Sequence, residues 1–269
     1  MNEIKIDTVT LDSAVKMIKL TYSLELWEQL IDLSNKLYIR ANHIYKNRFM
    51  KPIRVLAERP LVYYYGYSLL MKGHGYKELG RYDKALQCID RYSNLYWFEE
   101  DFNEDDIREV QYFQYISEPN RFEIHLLSGD FNSLDAYVDY LARNRNELLP
   151  GLISILKAAN NHNYNIDSII NRFSHDIVFS VGHASQDVIN TAYYQSFLQQ
   201  IIDYKINHFE HHSAIDYTFQ LLFYAHKAAN DGLYKHAIVC FESLREYATP
   251  IQLTVFKEHI TSIMGKVLI

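Results

Sequence analysis

Along most of this chain apolar residues return every three or four positions, the spacing of one face of an α-helix. In Leu26-Trp27-Glu-Gln-Leu30-Ile31-Asp-Leu33-Ser-Asn-Lys-Leu37-Tyr38 the stripe runs through Leu26 and Trp27, Leu30, Leu33 and Leu37. That predicts an amphipathic helix with a wide apolar face. Stripes of the same kind cover 61–79, 82–95, 106–127, 133–142, 149–159, 166–177, 187–206, 214–229, 234–247 and 250–268. No stretch alternates apolar and polar residues between turn signals, so no sheet is predicted. Nine glycines and five prolines in 269 residues are few breakers, and the helices should be joined by short turns. Segments 99–106 and 174–186 interrupt the rhythm and are expected to be irregular connections.

Three stretches share a further pattern. Gly80-Arg-Tyr82-Asp-Lys-Ala85-Leu-Gln-Cys-Ile89, Gly129-Asp-Phe131-Asn-Ser-Leu134-Asp-Ala-Tyr-Val138 and Gly232-Leu-Tyr234-Lys-His-Ala237-Ile-Val-Cys-Phe241 each place an aromatic two residues after the glycine. A small or apolar residue follows at the fifth position and a large apolar one at the ninth. A weaker match without the glycine begins at Asn163, with Ile166, Ile169 and Phe173, and 23–37 looks like the second helix of another copy. A glycine at the end of a helix suits the left-handed cap, which costs a residue with a side chain. The small Ala85 would then let two helix backbones approach, with the Tyr82 ring filling the space beside it.

This pattern resembles the tetratricopeptide repeat, two antiparallel helices joined by a tight turn. In the first copy Leu69, Gly73 and Tyr76 stand at the family's upstream positions. The resemblance implies an all-α fold, a right-handed α-solenoid of degenerate tetratricopeptide-like helical hairpins. Residues 1–21 would form an N-terminal segment and first helix, and 22–269 the repeat domain. The glycine spacing departs from the family's period of about thirty-four residues, so some helices are lengthened or inserted. Stacking is still expected, since no helix pair can bury its apolar face alone.

Further segments, 61–73, 91–98, 149–159 and 242–250 together with Gly80-Arg-Tyr-Asp-Lys-Ala85, resemble the C-terminal repeat domain of Gram-positive transcriptional regulators. Those regulators join a helix-turn-helix to a tetratricopeptide sensor that grips a short peptide. Here repeat-like helices begin within the first thirty residues, which leaves no room for the DNA reader. The resemblance therefore implies a sensor without its reader, or a relative acting through protein contacts alone.

Charge narrows the partners. The formal net charge is −6, so the chain carries no overall positive field to hold a polyanion. One local basic run exists, Arg40, Lys46, Arg48, Lys51 and Arg54, interleaved with Tyr38, Tyr45 and Phe49. It is read as a solvated helix end, and DNA binding through this chain alone is not expected. His208-Phe-Glu210-His211-His212 resembles a metal string, but its glutamate is misplaced for the His-Glu-x-x-His arrangement. The expectation is a polar helix end, with no metal and no cofactor. In the acidic run 101–106, Asp105 or Asp106 should cap the following helix. Cys88 and Cys240 both fall at inward helical positions, so no disulfide framework is expected. With no apolar stretch long enough to span a bilayer and no N-terminal apolar leader, the reading is a cytoplasmic protein. No catalytic motif of the hydrolase, nucleotide-binding or redox kinds is present, and no enzyme is predicted.

In a tetratricopeptide stack the first helix of each pair lines the inner groove. Counted from the turn glycines, this selects Tyr67, His74 and Lys77 in the first copy, Asn120 and Glu123 in the second, and Phe219, His226 and Asn230 in the third. His74, Glu123 and His226 share one offset, and the helix of Tyr193-Tyr194-Gln195 is expected to contribute. The function this predicts is a peptide- or protein-binding regulator or adaptor, with a homodimer among its options and no membrane. A DNA-binding transcriptional regulator, or its sensor fragment, is the alternative, and a metal-dependent enzyme comes third.

Overall fold

The computed structural model describes residues 9–47, 57–98, 103–177 and 188–267, which are helical with short turns and contain no strand. They divide into two compact units, 1–137 and 138–269. The first helix, expected within 1–21, runs from Leu11 to Ser23 and packs on the second.

Unit 1 contains α1 (Leu11–Ser23), α2 (Trp27–Asn47), α3 (Leu61–Glu78), α4 (Tyr82–Tyr92), α5 (Glu104–Leu127) and the start of α6 (Leu134–Arg143). Successive helices α1 to α5 pack in order, and α3 also lies against both α1 and α5. That leaves most of α3 from Val62 to Gly75 buried, with Tyr63, Leu70, Lys72 and His74 only partly covered. Its sequence permits this because glycines stand where three neighbours press closest. A Cβ on Gly66 would lie 2.4 Å from the buried Phe113 ring of α5. On Gly75 it would meet Ile31 Cγ1 at 2.7 Å and the Trp27 carbonyl at 3.2 Å in α2, and on Gly73 the Cys88 Cβ of α4 at 3.3 Å.

Unit 2 holds the rest of α6, then α7 (Leu148–His162), α8 (Asp167–Arg172), α9 (Val188–Asn207), α10 (His211–Lys227), α11 (Asp231–Leu244) and α12 (Pro250–Val267). Helix α9 packs on α7 and α10, and α10 packs on α11 and α12. Phe241 stacks on Phe256 at 3.9 Å and on Phe219 at 5.4 Å, a ring column at the centre of the last three helices. A buried ammonium fastens the other side: Lys205 Nζ donates to Asp167 at 2.8 Å and to both oxygens of Glu210 at 2.8 and 2.9 Å. Burial works against the Asp167 carboxylate, but the bonds from Lys205, Asn165 and Tyr204 and the Lys205 charge together outweigh it and the group is held below its ordinary range.

One turn geometry recurs six times among the described residues. Glu25, Gly80, Gly129, Asn163, Phe209 and Ala229 all have φ between 51° and 89°. In each case the next residue's N–H reaches back to the carbonyl five positions earlier: Leu26 to Thr21, Arg81 to Tyr76, Asp130 to His125, Tyr164 to Ala159, Glu210 to Lys205 and Asn230 to Ala225, at 2.8 to 3.1 Å. This is the helix cap closed by a left-handed residue. Gly80 and Gly129 occupy it as the sequence predicts. Gly232 does not, because it lies in the first turn of α11 while Ala229 makes the turn. The α5 cap also differs from expectation. Asn103 Oδ1 accepts from the amides of Asp105 and Asp106, and Asp106 returns the bond to the Asn103 amide. Segment 174–177 is helical, while 99–102 and 178–186 lie outside the described residues.

Two substitutions should move stability in opposite directions. Gly75→Ala adds a methyl inside the α2–α3 contact and should destabilise by about 1–3 kcal/mol, whereas Ala229→Gly relieves a left-handed alanine and should stabilise by about 1 kcal/mol. Urea denaturation of both variants beside the parent checks the pair, and a neutral Gly75→Ala would show that the α2–α3 approach is not close.

Candidate functional site

The candidate site lies in unit 1, where α1, α3 and α5 run side by side. A cleft of about 730 Å³ opens there, lined by Lys19 of α1, by Arg59, Tyr63, Tyr67 and Leu70 at or in α3, and by Arg108, Glu109 and Tyr112 of α5, among others. Tyr63 stacks on Tyr67 at 5.4 Å, one helical turn apart, and the Arg59 guanidinium lies over the Tyr63 ring at 4.5 Å. The tyrosines form an apolar wall with polar ends. Burial, followed by the neighbouring Tyr63, Tyr112 and Tyr22, pushes the Tyr67 hydroxyl above its ordinary value, so it stays a neutral donor and acceptor. Tyr67 is 8% exposed, and none of the described residues forms a hydrogen bond with its hydroxyl.

Glu109 is the second polar group sunk into the cleft, its side chain 9% exposed. Arg59 donates through Nε, at 2.9 Å, and through Nη2, both to Oε1. Oε2 has no hydrogen-bond partner among the described residues. The pair is anchored from behind. Asp12 of α1 accepts from the Tyr64 hydroxyl and from the Glu58 amide, and the Arg59 amide donates to the Tyr64 oxygen. One network thus fixes the mouth of the cleft to all three helices.

Leu70 also lines a smaller recess between α3, α4 and α5, with His74, Lys77, Asn120 and Glu123. Its volume of about 20 Å³ suits a single water molecule. Lys77 Nζ donates to Glu123 at 3.0 Å, and their side chains are 11% and 16% exposed. Burial alone would lower the Lys77 ammonium, but Glu123 and Glu78 more than offset it and the group is raised. Burial, with Lys77 nearby, pulls the His74 imidazole down to about 4 against the opposing Glu123. A neutral imidazole therefore stands beside a charged pair. Asn120 is engaged as well, donating to the Tyr92 hydroxyl at 2.9 Å.

Four of the eight sequence-selected residues, His74, Lys77, Asn120 and Glu123, thus meet in the recess, and Tyr67 lines the cleft beside it. The other three belong to unit 2. Phe219 is buried in the ring column, His226 is exposed against Tyr234 and His259, and the Asn230 side chain caps α11 by accepting from the Leu233 amide. Their offset was counted from Gly232, three residues past the true turn. Measured from the left-handed residues themselves, the position shared by His74 and Glu123 falls on Lys19 in α1 and Phe223 in α10. Lys19 was hidden because Glu25, not a glycine, makes its turn. Arg59, Glu109 and Tyr112 carry no local signal at all, since only the pairing of α3 with α5 brings them together.

The remaining motifs resolve as local structure. His208 Nδ1 lies 2.9 Å from the Tyr204 carbonyl, Glu210 is bonded to Lys205, and His211 stacks on Tyr247 at 3.9 Å. Tyr194 is buried with its hydroxyl directed at Gln220. In the basic run, Arg40 donates to the Val9 carbonyl, while Arg48, Phe49, Lys51 and Arg54 lie outside the described residues. No helix among the described residues is long and apolar enough to cross a membrane. No protein-family model, curated protein or solved structure matches the chain.

The His74 environment gives a pH test. The folded imidazole stays neutral down to about pH 4, whereas an ordinary one takes up its proton near pH 6.5. Its contribution to stability is therefore complete above 6.5 and is lost as pH falls from there to about 4. Denaturation midpoints should drop more steeply across that window for the parent than for His74→Gln, and parallel slopes would show that the imidazole is freely solvated.

Proposed function

We propose that unit 1 binds a peptide or a segment of another protein in the cleft along α1, α3 and α5, and that the chain acts as a regulatory or adaptor protein. The observation that carries this is the pairing of a tyrosine wall with two polar groups on mostly buried side chains, the Tyr67 hydroxyl and Glu109 Oε2, that open to the cleft without hydrogen-bond partners among the described residues. Both groups are held at the ends of otherwise buried side chains and open to the water of the cleft, where a ligand that supplies donors and acceptors can replace that water. A main chain does so at every residue. The volume is within the range of ligand sites, and the tyrosines offer broad contact at small entropic cost.

The same reading treats α1–α2 and α3–α4 as degenerate tetratricopeptide-like hairpins of a right-handed α-solenoid, followed by α5 as the next first helix. The order of packing supports it, with α1, α3 and α5 adjacent and α2 and α4 between them in sequence. So do the recurring caps, two of which, Gly129 and Asn163, are separated by 34 residues. A bound segment touching α1, α3 and α5 at once would favour one arrangement of these helices over others, which is how occupancy could be signalled.

Selection of a random peptide library on the full chain tests the proposal. Recovered peptides should bind in the micromolar range, and Tyr112→Ala, an exposed residue, should weaken them about ten-fold. Tyr67→Phe, which removes only the hydroxyl, should weaken them less. Peptides that bind Tyr112→Ala and Tyr67→Phe as well as the parent would place the binding surface elsewhere.

A further inference from the structure

The last three helices of unit 2 bring three polar rings to one place. His226 stands in the last turn of α10, Tyr234 in the first turn of α11 and His259 in the middle of α12. The His226 and His259 rings are perpendicular with centroids 5.4 Å apart, and each lies 6.0 Å from the Tyr234 ring. Phe223, one turn before His226, meets the His259 ring edge to face at 4.8 Å and fixes its orientation. Two atoms of this group, His259 Nε2 and the Tyr234 hydroxyl, are buried and have no hydrogen-bond partner among the described residues. A buried polar atom left unpaired is costly and rare in folded chains, and here two of them adjoin an imidazole that is exposed to solvent, His226.

The spacing of the imidazoles is that of a shared ion. An imidazole nitrogen holds zinc at about 2.0–2.1 Å and its ring centre lies about 1.1 Å further out, so two rings on one tetrahedral ion have centres about 5 Å apart. The observed 5.4 Å is close to that value. In the tautomer protonated at Nδ1, the buried Nε2 of His259 presents a lone pair. Burial, followed by the neighbouring His226, keeps this imidazole below its ordinary value, and a neutral ring is the form that binds a metal. Neither free cysteine supplies a ligand: Cys88 is buried in unit 1, and Cys240, expected to face inward, is partly exposed and lies against His236. No group of three histidine, cysteine or carboxylate ligands occurs among the described residues, so the protein provides two nitrogens and water completes the shell.

We propose that His226 and His259 bind a divalent late first-row transition-metal ion, zinc or copper, with the Tyr234 hydroxyl bonding to a water on that ion. Imidazole ligands favour these metals over the harder magnesium and calcium. The two ligands come from different helices, so the ion would join α10 to α12 and stabilise unit 2 in proportion to its occupancy. The site shares no residue with the cleft of unit 1 and none with the histidine string at 208–212.

The full chain, made without an affinity tag and stripped with a chelator, is titrated with zinc against a chromophoric competitor, and its copper form is examined by electron spin-echo envelope modulation. One equivalent of zinc should bind in the micromolar range and raise the unfolding midpoint, and copper should couple to two imidazoles. His226→Gln, at an exposed position, should weaken zinc binding about ten-fold or more and leave copper coupled to one imidazole. His259→Gln should do the same, and His212→Gln should change neither readout. Zinc affinity unchanged in His226→Gln, two-imidazole coupling that survives in that variant, or no uptake from millimolar zinc would overturn the proposal, the last because water alone would then satisfy the buried atoms.

Discussion

Unit 1 depends on how closely three helices can approach α3. Gly66, Gly73 and Gly75 face α5, α4 and α2 respectively, and at each the space a side chain would need is already taken. Close approach of backbones has an energetic cost, because three glycines weaken a helix by about 1 kcal/mol each relative to alanine. Packing offsets it. Phe113, Tyr92, Leu69 and Tyr64 are fully or almost fully buried around the same helix, and burying one such side chain is worth about 1.5–3 kcal/mol. The cleft follows from that geometry. With α1 and α5 held on either side of α3, Tyr63 and Tyr67 face a gap that α2 and α4 do not fill.

The polar groups in unit 1 follow the same division. Where the helices press together, ions are paired and withdrawn from water, as Lys77 is with Glu123 and Glu78. Where they diverge, pairing is incomplete, and Glu109 engages Arg59 through one oxygen while the other faces the opening. Removing one member of such a buried pair would leave a charge without compensation, so the Lys77–Glu123 pair belongs to the scaffold and Glu109 to the site. In unit 2, Lys205 with Asp167 and Glu210 plays the scaffold part.

Much of this was legible in the sequence, and what was not has physical causes. The helices declare themselves because each keeps an apolar stripe, and their limits differ from the stripes by a few residues where caps intervene, as at Asn103. The helix at 61–79 was read from its spacing as well, although burial along most of α3 leaves it little polar face. Turns were legible only where glycine makes them. Asn163 was recognised from the pattern downstream of it, but Glu25, Phe209 and Ala229 adopt the same conformation without glycine, and Gly232 sits inside a helix. Counting from Gly232 therefore selected Phe219, His226 and Asn230, which stand in a core column, an exposed ring cluster and a helix cap. His74, Lys77, Asn120 and Glu123 were found together because their counts began from Gly80 and Gly129, which are true turns. Arg59, Glu109 and Tyr112 were not, since they converge only through tertiary contact.

The claim on which the functional account rests is that the face made by α1, α3 and α5 meets another polypeptide. A photo-crosslinking residue placed at Tyr112, within the cleft, and at Gln87, exposed on α4 away from the cleft lining, examines it in the cell that makes the protein. The account predicts a discrete crosslinked peptide or protein from position 112 and none from position 87. Crosslinks from position 87 alone, or the same products from both positions, would contradict it.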